Sequence, residues 1–139
     1  MRFMILVKAN RDSEAGVKPP DSLFAEMADY HEQLAKAGVL LDGSGLQPSS
    51  KGWRIRYSGN KRTVVDGPFA ETKELVAGYT IIQVKSREEA IEWTRRFPNP
   101  TIGGQDCEIE VRQLFELEDF GEGEVLDRFR EIGMANPKT

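Results

Sequence analysis

Apolar and polar residues alternate along this chain with periods that change between segments, and these periods predict its secondary structure. Residues 3–7 form a continuous apolar run of strand-forming residues, which is typical of a central strand covered on both faces. Residues 53–57 and 62–66 alternate on either side of a short loop and predict a hairpin. The same patterns predict three further strands, over residues 39–46, 75–85 and 107–117.

The first helix is predicted over residues 23–37, because its apolar positions recur at helical spacing. A polar loop over residues 9–20 precedes it, so Asp21 or Ser22 is the expected N-cap, and Gly38 the expected C-terminal cap. The apolar side of this helix consists of Leu23, Phe24, Met27, Ala28, Tyr30, Leu34 and Ala35.

Two further helices follow in the second half of the chain. Ser86 and Glu89 have the spacing of a capping box, which opens a helix that Pro98 closes. Residues 122–132 carry apolar side chains at helical spacing after a glycine-containing linker. We expect this tail helix to dock on its own subunit or on a partner subunit.

The resulting order is β-α-β, a hairpin, and β-α-β, which predicts an α+β fold of the split βαβ type. This is a ferredoxin-like βαββαβ sandwich with an inserted hairpin and both helices on one face of the sheet. Residues 80–84 are apolar on both sides of their strand, so the other face also needs a cover. A homodimer that stacks two sheets about a twofold axis provides it.

Composition restricts the protein's partners and location. The 139 residues fit one domain, and 19 basic against 23 acidic side chains give a net charge of −4. This balance disfavours nucleic acid and anionic membranes, which attract basic surfaces. The single cysteine, Cys107, excludes an intramolecular disulfide, and no Cys/His cluster predicts a metal site. Residues 3–7 are too short for a secretory or membrane-spanning segment, so a cytoplasmic location is expected.

The loop after residue 65 concentrates ionisable side chains next to a Gly67-Pro68 turn. Glycine and proline stop strand pairing there, so Asp66 is held at a strand end, where functional carboxylates often lie. Alternatively, Asp66 accepts backbone N–H groups within its own turn. The loop is therefore either a site or a rigid corner.

Several short motifs in this chain resemble those of one known family. They are Asp66-Gly67-Pro68-Phe69, Glu71-Thr72-Lys73-Glu74, Gly78-Tyr79, Ala37-Gly38-Val39-Leu40-Leu41, Gly45-Leu46-Gln47-Pro48 and Ser86-Arg87-Glu88-Glu89-Ala90. The pattern resembles the YCII-related proteins, in the bacterial branch named for its Asp-Gly-Pro-Phe motif. The resemblance covers residues 1–117 and implies a ferredoxin-like domain that dimerises into an α+β barrel, followed by a C-terminal extension over 118–139. It implies no defined reaction.

His31 is the only histidine and lies near the middle of the apolar face of the first predicted helix. It is either a packed core residue with locally satisfied nitrogens or a general base in a low-dielectric pocket. Some relatives are proposed to use a His-Asp pair, whose histidine falls near Met27, one turn before His31. The resemblance therefore suggests a shifted imidazole that Asp66 orients, as the third group does in catalytic triads.

The remaining candidate site residues each have a structural interpretation as well. Arg54 and Arg56 lie on the same face of their predicted strand. Such a pair either clamps a carboxylate or forms a solvated face, and we favour the solvated face here. Glu71 and Lys73 belong either to a ligand site or to a surface ion-pair network with Glu74. The Tyr79 hydroxyl either donates into a pocket or is satisfied in the core. Gln47, Pro48 and Phe69 complete the predicted substrate-binding set, and Trp53 and Trp93 are expected to pack.

Two functional hypotheses follow. In the first, the protein binds a small molecule between the first helix and the sheet, and His31 with Asp66 performs acid-base chemistry without a cofactor. No serine or cysteine lies in a nucleophile motif, so covalent catalysis has no support. In the second, the dimer is an interaction module for a protein partner. The resemblance links this second role to transcription, because related proteins are often encoded beside alternative sigma factors.

Overall fold

The computed structural model describes residues 1–134 and contains a four-stranded antiparallel sheet with the strand order β2-β5-β1-β6. A separate two-stranded sheet is formed by β3 and β4. The strands are β1 (Arg2–Lys8), β2 (Leu40–Gly45), β3 (Trp53–Ser58), β4 (Lys61–Asp66), β5 (Val76–Gln83) and β6 (Ile109–Gln113). The helices are α1 (Arg11–Glu14), α2 (Asp21–Lys36), α3 (Arg87–Arg95) and α4 (Glu124–Glu131).

This strand order confirms the predicted ferredoxin-like α+β fold. The central strand β1 pairs with β5 through Ile5 and Thr80, and with β6 through Ile5 and Val111. Helix α2 connects β1 to β2, and α3 connects β5 to β6, as the split βαβ pattern requires. The β3–β4 hairpin is the predicted insertion.

The hydrophobic core lies between the sheet and helices α2 and α3. Ile5, Leu34 and Ile82 have no exposed surface, and β-strand alternation places Ile5 and Ile82 on the same sheet face. Tyr30 from α2 and Ala90 from α3 close the layer. Trp93 packs against this core, as expected, whereas Trp53 is 64% exposed and does not.

The polar loop predicted before α2 contains a helical turn, α1. The Asn10 side chain accepts a hydrogen bond from the Ser13 N–H, and the Ser13 hydroxyl accepts one from the Asn10 N–H. A turn this short has no hydrophobic period, so the sequence pattern does not reveal it. Helix α2 then begins at Asp21 with Pro20 as N-cap, and no side chain caps it, in contrast to the expected Asp21 or Ser22 cap.

The predicted capping box of α3 forms in a shifted arrangement. The Ser86 hydroxyl accepts a hydrogen bond from the Glu89 N–H at 3.1 Å. The Glu89 carboxylate accepts from the N–H of Lys85, one residue before the cap, at 3.0 Å. Both bonds still satisfy N–H groups at the helix start. The helix ends at Arg95, before Pro98.

The face of the main sheet opposite α2 and α3 carries half-buried apolar side chains. Met4 pairs with Ile81, and Leu6 with Tyr79, and these positions alternate with the core positions. Next to them, hydrogen bonds from Lys8 and then from Arg112 lower the pKa of Glu110. The twofold stacking expected on this face is a contact between two chains and stays a prediction.

The hairpin projects from the fold with exposed apolar residues. Trp53, Ile55 and Tyr57 share one face of β3, and Val64 lies opposite Ile55 on β4. Trp53 and Tyr57 are 64% and 68% exposed. At the hairpin base, the Gly67 N–H donates to the Gly52 carbonyl at 3.0 Å.

The C-terminal part contains a helix where the spacing predicts one, α4. Its neighbouring segment, Leu117–Phe120, is a 3-10 turn whose Glu118 pairs with Arg130 at 3.7 Å. Val125 and Ile132 remain 60% and 69% exposed, so packing within one subunit does not cover the apolar side of this helix. Residues 135–139 of the predicted extension lie outside the described residues. Over residues 1–134, no helix combines the length and apolar content needed to cross a bilayer.

Candidate functional site

A cavity of about 510 Å³ lies between α2 and the helix-facing side of the sheet. Helix α2, strands β2 and β5, and the loop after α3 form its walls. No lysine, arginine, aspartate or glutamate lines it. Its lining residues are Val7, Pro19, Leu23, Phe24, Met27, Ala28, His31, Gly43, Ser44, Gly45, Ala77, Gly78, Tyr79, Thr80, Phe97 and Pro100.

His31 is held in this cavity by hydrogen bonds at both ring nitrogens. Its Nδ1 lies 2.7 Å from the carbonyl oxygen of Met27, one helical turn earlier, and its Nε2 lies 2.8 Å from the Thr80 hydroxyl oxygen. The ring also meets Tyr30 and Phe97 edge-on, at centroid distances of 5.6 and 6.2 Å. The imidazole orientation is therefore fixed from several sides.

These partners also define the tautomer of the neutral ring. A carbonyl oxygen only accepts hydrogen bonds, so the proton resides on Nδ1 and is donated to Met27. Nε2 then carries a lone pair and accepts from the Thr80 hydroxyl. Thr80 is 3% exposed, so its side chain has a fixed position on β5. The arrangement presents a basic nitrogen and a hydroxyl side by side in an apolar cavity.

Gly43 keeps the space beside this pair open. A Cβ atom at residue 43 would lie 3.8 Å from His31 Nε2 and 3.6 Å from Thr80 Oγ1. Glycines inside a strand are typical of a bulge or of a close approach to the backbone. The register shift lies earlier, between Leu40 and Asp42, so Gly43 marks the close approach.

Tyr30 supports the site from the core side without lining it. Its hydroxyl donates to the Trp93 carbonyl at 2.7 Å. Burial raises the pKa of Tyr30 to about 12, against a smaller lowering effect of Arg96. The hydroxyl therefore stays protonated over the physiological range and acts as a structural donor.

The structure does not bring Asp66 to His31. Asp66 ends β4 opposite Trp53, outside the cavity lining, and both nitrogens of His31 have other partners. The hairpin base instead packs on the residue 49 loop: a Cβ atom at Gly67 would lie 1.9 Å from the Ser49 carbonyl oxygen. The Asp66 carboxylate makes no hydrogen bond or ion pair within residues 1–134, so the expected bond inside its own turn is not formed either.

The motif residues around Asp66 form a corner at the same base. The Phe69 N–H donates to the Ser49 hydroxyl at 3.0 Å, and the Arg54 guanidinium lies over the Phe69 ring at 3.7 Å. Arg54 therefore stacks on an aromatic ring of its own chain. Gln47 is exposed and Pro48 is half-buried, and neither lines the His31 cavity.

Lys73 lines a second, more polar cavity of about 570 Å³, together with residues near Lys8 and Cys107. Glu71 is exposed just before the 3-10 turn Thr72–Glu74. In the part of the chain that is described, no ion pair joins Glu71, Lys73 and Glu74, so the expected network does not form. All three side chains are exposed, and pairing between exposed charges gains little.

Tyr79 contributes to the cavity, but its hydroxyl does not face His31. The Tyr79 carbonyl lies beside Gly43, whereas its hydroxyl donates to the Asp42 carboxylate at 3.3 Å. Strand alternation explains this, because Gly78 and Thr80 are buried towards the helices and Tyr79 points the other way.

Sequence reasoning missed Thr80 and Gly43 as site residues. A threonine inside an apolar strand is the one available signal for a buried polar partner of His31. Among residues 1–134, no group of three or more histidine, cysteine, aspartate or glutamate side chains is arranged to hold a metal ion.

Strand order and cavity together define a ferredoxin-like α+β protein with a small-molecule-sized cavity. A family model described as the YCII-related domain matches residues 1–117. An uncharacterised protein of Rhizobium meliloti (strain 1021) is 31% identical over 96 residues, which cover 68% of this chain and 74% of that protein. The chain therefore belongs to the YCII-related family. Its place in the Asp-Gly-Pro-Phe branch stays a prediction from the motif.

One solved structure is also similar. It is the 5-chloro-2-hydroxyhydroquinone dehydrochlorinase TftG from Burkholderia phenoliruptrix AC1100, in complex with 2,5-dihydroxybenzoquinone. The similarity covers 84% of this chain and 95% of that chain, at 16% identity and a TM-score of 0.42. The fold assignment rests on the strand order of this protein and not on that similarity.

Proposed function

We propose that this protein is a cytoplasmic homodimer that binds a small, largely apolar compound in the α2 cavity, where His31 acts as a general base. The observation that carries the proposal is the position of the single histidine, with Nδ1 on the Met27 carbonyl and Nε2 beside the Thr80 hydroxyl. A neutral imidazole is suited to accept a proton once a ligand hydroxyl takes the place of Thr80 at the Nε2 lone pair.

The lining restricts the class of compound. Without a lysine or arginine in the lining, a phosphorylated or strongly anionic ligand would lose hydration without gaining an ion pair. A phenol or an enolisable carbonyl compound fits better, because its ring or chain contacts the apolar walls and its hydroxyl reaches Nε2. The ligand hydroxyl then replaces Thr80 as the partner of His31.

In this proposal the Met27 carbonyl, not Asp66, orients the imidazole. The hydrogen bond from Nδ1 fixes the ring plane and favours the tautomer with its lone pair on Nε2. Because a carbonyl is uncharged, it stabilises the protonated ring less than a carboxylate does. We therefore expect modest proton abstraction from acidic O–H or C–H groups, without a cofactor.

The test uses 4-nitrophenol as probe, because its absorbance distinguishes the phenol from the phenolate. We expect the wild-type protein to bind it, with amide NMR shifts confined to the cavity, and to increase its phenolate fraction. His31→Gln should keep binding within a few-fold and abolish the added phenolate. Gln47→Ala, at an exposed residue outside the lining, is the matched control. Equal phenolate fractions in wild type and His31→Gln, or shifts at another surface, would overturn the proposal.

The homodimer is supported by the apolar face of the main sheet, where Met4, Leu6 and Ile81 lie on the side opposite the helices. Such a surface is usually covered in a stable protein. Light scattering at micromolar concentration measures the mass directly. A monomer at that concentration contradicts this part of the proposal.

A second candidate function is a protein-interaction module, and the exposed Trp53 and Tyr57 side chains favour it. Transcription-linked partners such as sigma factors are the partners that the family resemblance suggests. A stoichiometric partner that binds His31→Ala as well as wild type, but not Trp53→Ser/Tyr57→Ser, would support this function. Loss of partner binding in His31→Ala would favour the small-molecule function instead.

A further inference from the structure

The β3–β4 hairpin carries an unusual concentration of positive charge. Residues 51–62 contain five cationic side chains and no carboxylate. None of the five has a carboxylate within ion-pair distance among residues 1–134. Two of them lie over aromatic rings of the same region, Arg54 over Phe69 and Arg62 over Tyr57. The hairpin is therefore a basic surface without an acidic partner among the described residues.

The segment over residues 116–131 carries the opposite charge. It contains seven carboxylates and two arginines. Some of the carboxylates have partners in the chain, such as Glu116 with Arg2 and Asp127 with Arg130. Glu122, Glu124 and Glu131 make no side-chain hydrogen bond or ion pair within residues 1–134. We call this stretch the acidic segment.

Both surfaces also expose apolar side chains. On the hairpin, Trp53, Ile55, Tyr57 and Val64 share one face. In the acidic segment and just after it, the exposed apolar residues are Phe120, Val125, Phe129 and Ile132. A Trp or Tyr side chain contributes about 150–250 Å² of surface. The hairpin face alone therefore approaches the few hundred Å² of contiguous apolar surface that monomeric proteins rarely exceed. Strand pairing places Arg62 on the apolar face of the hairpin, and Arg54, Arg56 and Lys61 on its other face. Arg62 is therefore the hairpin cation that lies beside the apolar residues, and aromatic residues with an arginine are typical of an interface centre.

We propose that the hairpin of one subunit docks on the acidic segment of the partner subunit. This proposal rests on the proposed homodimer. Within one chain no ion pair joins the two surfaces, although their charges and apolar residues match. In a twofold dimer each hairpin meets the other chain's segment, so both contacts form at once and the assembly closes. The exposed aromatic side chains supply the central contacts, and the charges fix the pairing.

Charge reversal tests this inference without disturbing either core. The hairpin variant is Lys51→Glu/Arg62→Glu, in which Arg62 lies on the same face as Tyr57, and the segment variant is Glu122→Lys/Glu131→Lys. All four side chains are exposed and make no hydrogen bond or ion pair in the described chain. We expect each variant to weaken dimerisation by about tenfold or more in sedimentation equilibrium, corresponding to about 1.4 kcal/mol. Lys36→Glu/Arg87→Glu, which makes the same charge change on α2 and at the start of α3, should leave the dimer unchanged.

Mixing the two variants gives the decisive result. In a mixed dimer, the acidic hairpin of one chain meets the now basic segment of the other, and the native pair forms at the second contact. We therefore expect a 1:1 mixture to dimerise within about threefold of wild type, because opposite charges face each other at both contacts. If the hairpin packed on its own chain's segment, mixing would not restore the dimer.

The outcomes separate this inference from the proposed homodimer. A wild-type dimer that neither variant weakens would overturn the hairpin docking and leave the dimer intact. A wild-type monomer at micromolar concentration would overturn both. If the single variants dimerise weakly and mixing them does not restore the dimer, the docking of the hairpin on the acidic segment is also rejected. The basic hairpin would then be assigned to an acidic partner of another kind.

Discussion

His31 Nε2 lies 2.8 Å from the Thr80 hydroxyl oxygen, so the helix and the sheet of this protein are joined by a polar contact at the cavity wall. Thr80 is 3% exposed, and its strand neighbours in the core are apolar. A buried hydroxyl needs a hydrogen-bond partner, and His31 provides it. The same contact holds the basic nitrogen next to the space that Gly43 leaves open.

Gly43→Ala is expected to reduce ligand binding while leaving the fold intact. The added methyl group would occupy the space beside Nε2, at ordinary van der Waals distance from Thr80 and Tyr79. We expect about tenfold weaker binding of 4-nitrophenol, equivalent to about 1.4 kcal/mol. Titration calorimetry measures this affinity. Gly52→Ala is the control, because Gly52 lies outside the cavity lining and a Cβ atom there would be 3.6 Å from the Ser49 carbonyl oxygen. Equal effects of the two changes would contradict the assigned position of the ligand.

Thr80→Val should remove the donor to Nε2 while keeping the side-chain volume. We expect the free energy of unfolding to fall by about 1 kcal/mol, the usual contribution of one hydrogen bond. Urea denaturation checks this value, and Thr80→Ser, which keeps the hydroxyl, is the comparison that isolates the hydrogen bond.

The Met27 carbonyl should hold the proton of the neutral His31 ring on Nδ1 even in Thr80→Val. Nitrogen-15 NMR of the ring reports the tautomer directly. A proton on Nε2 in the wild-type protein would contradict the assigned direction of both hydrogen bonds.

The raised pKa of Tyr30 predicts a late step in the alkaline titration of the protein. Its pKa is raised from 10.0 to about 12 by burial, so the folded protein holds this proton more tightly than the unfolded chain. The resulting stability is fully present below pH 10 and is lost as the pH rises towards 12. Tyrosinate absorbance should show one of the three tyrosines ionising near pH 12, and Tyr30→Phe should remove that step. A titration without it would show that Tyr30 is more exposed to water.

Gly67→Ala is expected to destabilise the base of the hairpin. A Cβ atom there would lie 1.9 Å from the Ser49 carbonyl oxygen and 2.7 Å from its carbon, so the backbone itself must move. We expect a loss of about 1–3 kcal/mol, as for overpacked sites. Urea unfolding measures the loss, and Gly45→Ala, where an added Cβ atom meets nothing within 4 Å, serves as the control for stability. Unchanged stability would mean that the two loops are not packed together in solution.

The fold could be predicted well from the sequence, because most of its helices and strands leave a periodic pattern of apolar residues. The apolar run at residues 3–7 and the helical spacing through Tyr30 and Leu34 correctly identify β1 and α2. Elements without a period were missed or misplaced. The turn α1 begins at a capping box formed by the Asn10 and Ser13 side chains, which has no hydrophobic period. The strand expected over 107–117 shortens to Ile109–Gln113, although the Leu114 N–H still donates to the Arg2 carbonyl of β1.

The site was only partly predictable, since it depends on pairs that are distant along the chain. The inward position of His31 follows from the face of α2, but its partner Thr80 lies 49 residues later on β5. Asp66 was chosen for its place at a strand end and beside a motif, yet the hairpin turns that strand end away from the cavity. Local pattern cannot show where an inserted hairpin points.

The close contact at Gly67 also affects what its motif indicates about function. The motif Asp66-Gly67-Pro68-Phe69 forms a joint, where one loop rests against the backbone of another. Two proteins that share this joint can therefore agree in architecture while their cavities process different compounds. Inferring a substrate for such a relative requires comparing the residues around the imidazole, not the signature.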